Sequence, residues 1–353
     1  MEKVKFGIIG AGNIARVHAE ALRQTANAEL VMVYDPNRER ADALAAQYDC
    51  RAASDLTAFL ASDIEAVTIA TPSGLHGEAV IPAARAGKHI LCEKPLEVTT
   101  AKVDAIIQAC RENRVLLSVV LQSRFSRAVQ LIRQAVTEGR FGEPVLAAAS
   151  VRWYRTPEYY AAGGWRGSWA FDGGGALMNQ GIHTVDLLLH LNGDVVEVNA
   201  RMARLLHRKI EAEDTVIAGL QFRNGALGTL EASTACQPGL PRRMTLSGTR
   251  GSVIMEDDRI VFWQFDTEKP EDLEIRASGG VGEGLHGGSA DPNAISCEGH
   301  RRQIAELADA IRTGKPLSVP GCEGRRAVAL ITAIYESAQT GTTVKIKEYC
   351  PPC

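Results

Sequence analysis

No run of apolar residues in this 353-residue chain approaches the ~20 needed to cross a bilayer, which excludes a membrane-spanning helix. A basic excess is missing as well. With a formal net charge of -3, the chain lacks the electrostatic footprint that holds nucleic acid. No internal repeat and no low-complexity block breaks the sequence. The first residues, Met1 to Gly10, run straight into a strand pattern and leave no room for a signal peptide, so a cytoplasmic protein is expected. The 8 cysteines are scattered. Cys50, Cys92, Cys110, Cys236, Cys297 and Cys322 fall inside regular segments and are expected as buried or half-buried free thiols. Cys350 and Cys353 have redox-motif spacing, but no helix follows to lower a thiol pKa, and a frayed tail is expected. No second ligand pair has the spacing of a zinc site. Residues 279–289 lack the Gly-Lys-Ser/Thr ending of a phosphate-binding loop.

What is present is an ordinary globular composition, 45% hydrophobic and 23% charged, on a chain long enough for about two domains. Strand patterns at 4–9, 29–34, 66–70, 89–92 and 115–119 alternate with helical patterns at 14–24, 38–48, 75–86 and 101–113. The strands are apolar along their whole length, as they are in a parallel sheet covered on both faces. The alternation predicts a doubly wound α/β domain over 1–121. After Gln122 the pattern changes. A helix is expected over 128–137, a strand over 145–153 and a helix near 175–191. Strand patterns then follow at 195–203, 215–222, 226–232, 243–247, 252–256 and 259–265. Arg223-Asn224-Gly225 and Glu256-Asp257-Asp258 carry hairpin chemistry. Residues 279–289 read as a mobile glycine-rich loop, and helices at 295–312 and 324–338 close the chain. Residues 122–353 are therefore expected as an α+β domain on a mostly antiparallel sheet.

Gly10-Ala11-Gly12-Asn13-Ile14-Ala15 follows the first strand and opens the first helix, a dinucleotide fingerprint with Ala15 in place of the third glycine. Gly10 permits the tight turn, and Gly12 lets a pyrophosphate approach the backbone. The phosphate charge then sits on the helix N-terminus begun by Asn13 and Ile14. Asp35 closes the second strand ~20 residues on, where a carboxylate takes ribose hydroxyls. It would repel a 2′-phosphate, which favours NAD over NADP. Arg38 nearby could reverse that preference, but reads as a solvated helix residue. Thr71, Pro72, Ser73 and His76 follow another strand, so their loop belongs to the ligand crevice. Ser73 can cap the next helix or touch the cofactor. His76 can line a nicotinamide or simply occupy the first helical turn.

Glu93-Lys94-Pro95 ends the apolar run 89–92. A lysine between a buried strand and a proline is badly placed for a surface charge and well placed to stabilise a developing alkoxide. Asn179 and His183 are four residues apart, hence on one helix face, behind the glycines 173–175. The histidine suits proton transfer near neutrality. Asn179 can hold a hydroxyl but cannot exchange a proton. Asp186 can orient the imidazole or cap a backbone group, and His190 reads as a core or surface residue. Arg124 sits where the first domain hands over to the second, a position that lines clefts. Tyr154, Trp165 and Arg166 can supply aromatic and cationic contacts to a sugar, with core packing as the alternative for the aromatics. The set points to hydride transfer at a carbon bearing oxygen, with no metal.

Residues 10–15, the 71–76 loop, Glu93-Lys94-Pro95 and residues 173–186 together resemble the Gfo/Idh/MocA oxidoreductases, the relatives of glucose–fructose oxidoreductase and inositol 2-dehydrogenase. Trp165-Arg166-Gly167-Ser168-Trp169 ahead of 173–183 resembles the sugar and sugar-nucleotide dehydrogenase branches. The resemblance implies an N-terminal Rossmann domain and a C-terminal domain on a large open sheet, paired into a homodimer or homotetramer. It implies NAD-dependent oxidoreduction of a CH–OH group on a sugar, sugar derivative or sugar nucleotide. Lys94 and His183 would flank the carbinol carbon, with Glu93 on the cofactor side. Polyol-oxidising relatives often carry aspartate where this chain has Asn179, which puts an inositol-type substrate in doubt. Two alternatives stay open: an NAD-dependent glycosidase of the same family, and a non-catalytic NAD-binding regulator. The pairing of Lys94 with His183 argues against the regulator.

Overall fold

The computed structural model describes residues 2–162, 164–279, 296–346 and 349. Its N-terminal elements are β1 (Val4–Ile9), α1 (Asn13–Arg23), β2 (Ala28–Tyr34), α2 (Arg38–Gln47), β3 (Arg51–Ala52), α3 (Leu56–Leu60), β4 (Ala66–Ile69), α4 (His76–Arg85), β5 (His89–Cys92), α5 (Thr100–Glu112) and β6 (Leu117–Val119). The six parallel strands lie in the order β3-β2-β1-β4-β5-β6. That is the doubly wound order, whose direction reverses between β1 and β4. Asn37, Asp55 and Thr99 cap α2, α3 and α5 by accepting the N–H groups of Arg40, Ala58 and Lys102. Each such cap is worth about 1 kcal/mol.

The second set of elements is α6 (Arg127–Thr137), β7 (Pro144–Arg152), α7 (Pro157–Ala161), a π-helical turn (Ala176–Gly181), α8 (Ile182–Asn192), β8 (Val195–Ala203), β9 (Thr215–Phe222), β10 (Leu227–Ser233), β11 (Arg243–Gly248), β12 (Gly251–Glu256), β13 (Arg259–Phe265) and α9 (Pro270–Ser278). After the glycine-rich loop, of which residues 280–289 lie outside the described residues, come α10 (Glu298–Thr313), α11 (Gly321–Thr340) and β14 (Val344–Lys345). The eight strands run β13-β12-β11-β7-β10-β9-β8-β14. All neighbours are antiparallel except β7 and β10. Along β9, Val216, Ala218, Leu220 and Phe222 are buried while Ile217, Gly219 and Gln221 are exposed. The buried face carries the π turn and α8.

The chain divides into two compact units, Met1–Gln122 with Ser296–Arg325, and Ser123–Ile295 with Arg326–Cys353. A division into 1–121 and 122–353 therefore misassigns one segment: α10 returns to the first unit. There Ile304, Leu307 and Ala308 join Val4, Phe6, Ile8, Ala15, Ala19 and Leu22 in one core. The small faces of α1 (Ala15, Ala19) leave room for that second helix. Cys50, Cys92, Cys110, Cys236 and Cys297 are free, whereas Cys322 is disulfide-bonded, against the expectation of a free thiol. Cys350 and Cys353 lie outside the described residues. Among the described residues no helix is long and apolar enough to cross a membrane.

Candidate active site

In the first unit the strands end in register. Ile9 pairs with Tyr34 on β2 and with Ile69 on β4, and Ile69 pairs with Cys92 on β5. Asp35, Gly10, Thr71 and Lys94 therefore leave the sheet along one carboxyl edge, on four neighbouring strands. Three strand spacings of ~4.8 Å separate the ends of β2 and β5 by roughly 14 Å, room for a dinucleotide laid across the switch point. Gly10 has φ +100, and a Cβ there would lie 2.6 Å from the Ala70 carbonyl oxygen. Only glycine lets these two loops meet.

Gly12 heads α1, and a Cβ there would meet nothing within 4 Å. No side chain caps α1 and no acidic residue occupies its first turn. The first-turn amides at Asn13 and Ile14 are thus left for an anion. Asp35 is held by both oxygens: Oδ2 accepts the Ala11 N–H at 2.8 Å and Oδ1 accepts the Asn37 N–H at 2.8 Å. Each oxygen keeps a lone pair for a ribose hydroxyl. Thr71 Oγ1 is buried without a hydrogen-bond partner, and so is Gln122 Oε1 just past β6. Buried polar atoms of this kind call for a ligand or water. The cradle fits a dinucleotide.

Ser73 and His76 are both buried. The N-cap of α4 is Leu75, with no side-chain cap, so Ser73 does not cap that helix. His76 is buried, its Nδ1 2.8 Å from the Pro95 carbonyl and its Nε2 3.0 Å from the Thr71 carbonyl. Burial holds its pKa below the ordinary histidine value, against the pull of the two carbonyls. With both nitrogens on main chain, the ring braces the Pro72 loop against the Lys94 loop.

Lys94 is half-buried, and its peptide bond to Pro95 is cis. Its backbone N–H donates to Glu93 Oε2 at 3.1 Å. The Glu93 carboxylate points into the core, where Oε1 accepts from His18 Nε2 on α1 and His300 Nε2 on α10, each at 2.9 Å. Burial pushes this carboxyl up, but the two histidines outweigh it and hold the group well below the usual range. The three donor atoms lie within 4.8 Å of one another, close enough to suggest a metal. However, Nδ1 of both histidines is buried without a hydrogen-bond partner. A metal-bound histidine donates that second N–H to an acceptor. The cluster is a hydrogen-bonded carboxylate that anchors the end of β5.

In the second unit the helix expected near 175–191 is two structures. Ala176–Gly181 is π-helical, and α8 starts only at Ile182. Such bulges occur mostly at functional sites. Asn179 lies in the π turn, and His183 is the second residue of α8; both are half-buried. Asn179 Nδ2 donates to Asp172 Oδ1 at 2.7 Å, and Asp172 is 1% exposed. A carboxylate therefore does stand beside position 179, supplied from the loop. Asp172 also accepts the Gly167 N–H at 2.8 Å.

Arg124 and Asp186 form a bidentate ion pair, Nε–Oδ2 2.8 Å and Nη2–Oδ1 2.6 Å, with side chains only 7% and 1% exposed. Each satisfies the other, which ties the turn at 122–125 to α8. Trp165 and Arg166 are half-buried. The Arg166 guanidinium lies 4.3 Å from the centre of the Tyr159 ring and 5.6 Å from that of Trp165. Tyr159 Oη accepts from Gln180 Nε2 at 3.0 Å, linking this cation–π group to the π turn. Tyr154 forms an isolated antiparallel bridge with Ala235, beyond the ends of β7 and β10.

A family model described as an oxidoreductase family with an NAD-binding Rossmann fold matches residues 4–121, and one described as the GFO/IDH/MocA C-terminal domain matches residues 129–254. The chain belongs to the Gfo/Idh/MocA oxidoreductase family. Its solved relatives include the WlbA dehydrogenase from Bordetella pertussis in complex with NADH and UDP-GlcNAcA. That protein is 35% identical, over 98% of this chain and 100% of its own, with a TM-score of 0.88. A UDP-N-acetylglucosamine 3-dehydrogenase of Acidithiobacillus ferrooxidans is 30% identical over 93% of this chain and 95% of its own. An inositol 2-dehydrogenase of Rhizobium meliloti is 29% identical over 97% and 99%. In this Gfo/Idh/MocA chain, Gln122, with its orphaned Oε1, and Asp172, bonded to Asn179, are polar residues that sequence reasoning did not single out. A polar residue straight after a buried strand was the available signal for Gln122. Nothing in the sequence pairs Asp172 with Asn179.

Proposed function

We propose that the protein is an NAD-dependent dehydrogenase that oxidises a ring CH–OH of a UDP-activated N-acetylamino sugar or its uronate. The sheet edge that aligns Asp35, the Gly10–Gly12 turn and Lys94 carries the reading. The substrate class is favoured by likeness to the NADH- and UDP-GlcNAcA-bound dehydrogenase, at 35% identity over nearly the whole chain. When bound, NAD+ accepts hydride at its nicotinamide. The chain's own residues do the rest. Lys94 Nζ donates to the carbinol oxygen and stabilises the alkoxide as it develops. The His183 imidazole takes the hydroxyl proton. Asn179, its amide set by Asp172, holds a neighbouring hydroxyl. The test is NADH absorbance over a panel of UDP-sugars, UDP-uronates, free sugars and polyols. Turnover confined to free polyols would overturn the substrate class.

The cofactor preference follows from charge. Arg38 Nε is held by Asp42 at 2.9 Å and Nη1 by the Ala53 carbonyl at 3.2 Å. Those contacts compete with a 2′-phosphate for the guanidinium and so support NAD over NADP. Titration should find NAD(H) tighter by roughly 1–3 kcal/mol, the scale of a hydrogen bond to a charged group. Asp35→Ser should narrow the gap, and equal binding of NADP(H) by the wild type would refute the preference.

The assembly is a homo-oligomer in this reading. On the outer sheet face Leu146 and Leu227 sit opposite one another, 45% and 58% exposed, and Ile217 is 54% exposed. Apolar side chains exposed on one sheet face favour a symmetric partner. Light scattering should give a multiple of the 38.0 kDa chain mass at micromolar concentration. A mass of one chain would count against it.

A further inference from the structure

We propose that Glu213 and Tyr335 are positioning residues that together cap the π turn and so set the placement of Asn179 and His183. The proposal rests on the reading of those two as the substrate-side pair. A helix start leaves its first N–H groups without intrahelical partners. Here four consecutive amides are taken by two residues. Glu213 Oε2 accepts the Gly175 N–H at 2.9 Å, and its main-chain carbonyl accepts the Ala176 N–H at 3.1 Å. Glu213 Oε1 accepts the Leu177 N–H at 2.8 Å, and Tyr335 Oη accepts the Met178 N–H at 3.2 Å. Tyr335 closes the set by donating its O–H to Glu213 Oε1 at 3.0 Å. The next amide, Asn179, makes the first intrahelical bond, to the Gly175 carbonyl at 3.1 Å.

The closeness of this cap explains the glycines before it. A Cβ on Gly175 would lie 1.8 Å from the Glu213 carbonyl oxygen, and one on Gly174 would lie 2.2 Å from Tyr335 Oη. Trp169 holds the Tyr335 ring edge-on, with centroids 5.1 Å apart. Glu213 is buried, and desolvation pushes its carboxyl up to about 7 against the pull of its donors. A carboxylate is kept there at a cost, which a merely space-filling role would not require. Ionised, it also places negative charge at a helix N-terminus, where the dipole favours it.

Two variants test the cap. Tyr335→Phe keeps the ring against Trp169 and removes only Oη. Glu213→Gln keeps the shape and turns one acceptor into a donor facing other donors. Each should lower kcat about tenfold, the equivalent of one charged hydrogen bond, with the NAD dissociation constant unchanged. The His183 imidazole resonances, assigned with His183→Asn, should shift in both variants. Unchanged kcat, or unmoved His183 resonances, would overturn the proposal. So would a parallel loss of NAD binding, which marks general damage. If the wild type turns over none of the sugar panel, the functional reading fails while the His183 resonances still decide the cap.

Discussion

Lys94→Ala should lower turnover at least ~100-fold and leave NAD binding nearly unchanged, the range for a lost electrostatic or acid/base partner. The expectation comes from position. Lys94 leaves β5, two strands along the carboxyl edge from the Gly10–Gly12 turn at β1. It is past the segment that would hold the pyrophosphate, so its ammonium can reach substrate without carrying the dinucleotide. Its main chain is fixed by Glu93, which is itself held by His18 and His300. Such anchoring holds the Lys94 backbone in place, as electrostatic preorganisation demands. Lys94→Arg should rescue little, because a planar fork does not replace a compact ammonium on a flexible stem. His183→Ala should fall as far, since the proposed proton acceptor is then gone. Asn179→Asp should be milder and can broaden the range toward polyols. Steady-state kinetics on the identified substrate and a fluorescence titration of NADH decide the matter. If Lys94→Ala keeps wild-type turnover, its role as carbinol partner is wrong, and only dinucleotide binding survives.

Local signals were strong where one strand or one turn positions the residue. Asp35 could be placed because it follows an apolar run and a glycine turn, and the sheet register puts it beside Gly10. Lys94 could be picked out because a cation between a buried strand and a proline breaks the ordinary pattern. Several of the unreadable parts depend on distant partners. His18 and His300 meet Glu93 across separations of 75 and 207 residues. Neither histidine differs in sequence from a core residue. The return of α10 to the first unit has the same cause: an amphipathic helix reads alike whichever sheet receives it. The π turn was invisible for another reason. Four-residue spacing of Asn179 and His183 satisfies an α-helix, and only the Glu213–Tyr335 cap, fixed from β9's entry and α11, decides otherwise. Arg124 and Asp186 show the same limit. Arg124 stands out by its place at the domain handover and Asp186 by its place past His183, and neither position reveals that the two are bound to one another.

That ion pair yields the largest expected change in stability. Arg124→Ala should destabilise the protein by about 3–5 kcal/mol, the cost of removing one member of a buried pair. The loss exceeds what the pair contributes net. Asp186 is 1% exposed, so its carboxylate stays out of water when its bidentate partner goes. Replacing both residues, Arg124→Leu with Asp186→Leu, should recover most of the loss, because two apolar side chains leave no charge to desolvate. A double-mutant cycle by urea denaturation measures this, with a shifted midpoint and an unchanged slope marking a true stability effect. The same variants separate the two roles open to Arg124. A substrate-binding arginine would raise KM and leave the midpoint alone. A framework arginine should move the midpoint, and the double variant should restore the fold. Because α8 carries His183, the single variant should also lose turnover in step with its lost stability. A normal midpoint with a raised KM would return Arg124 to the substrate.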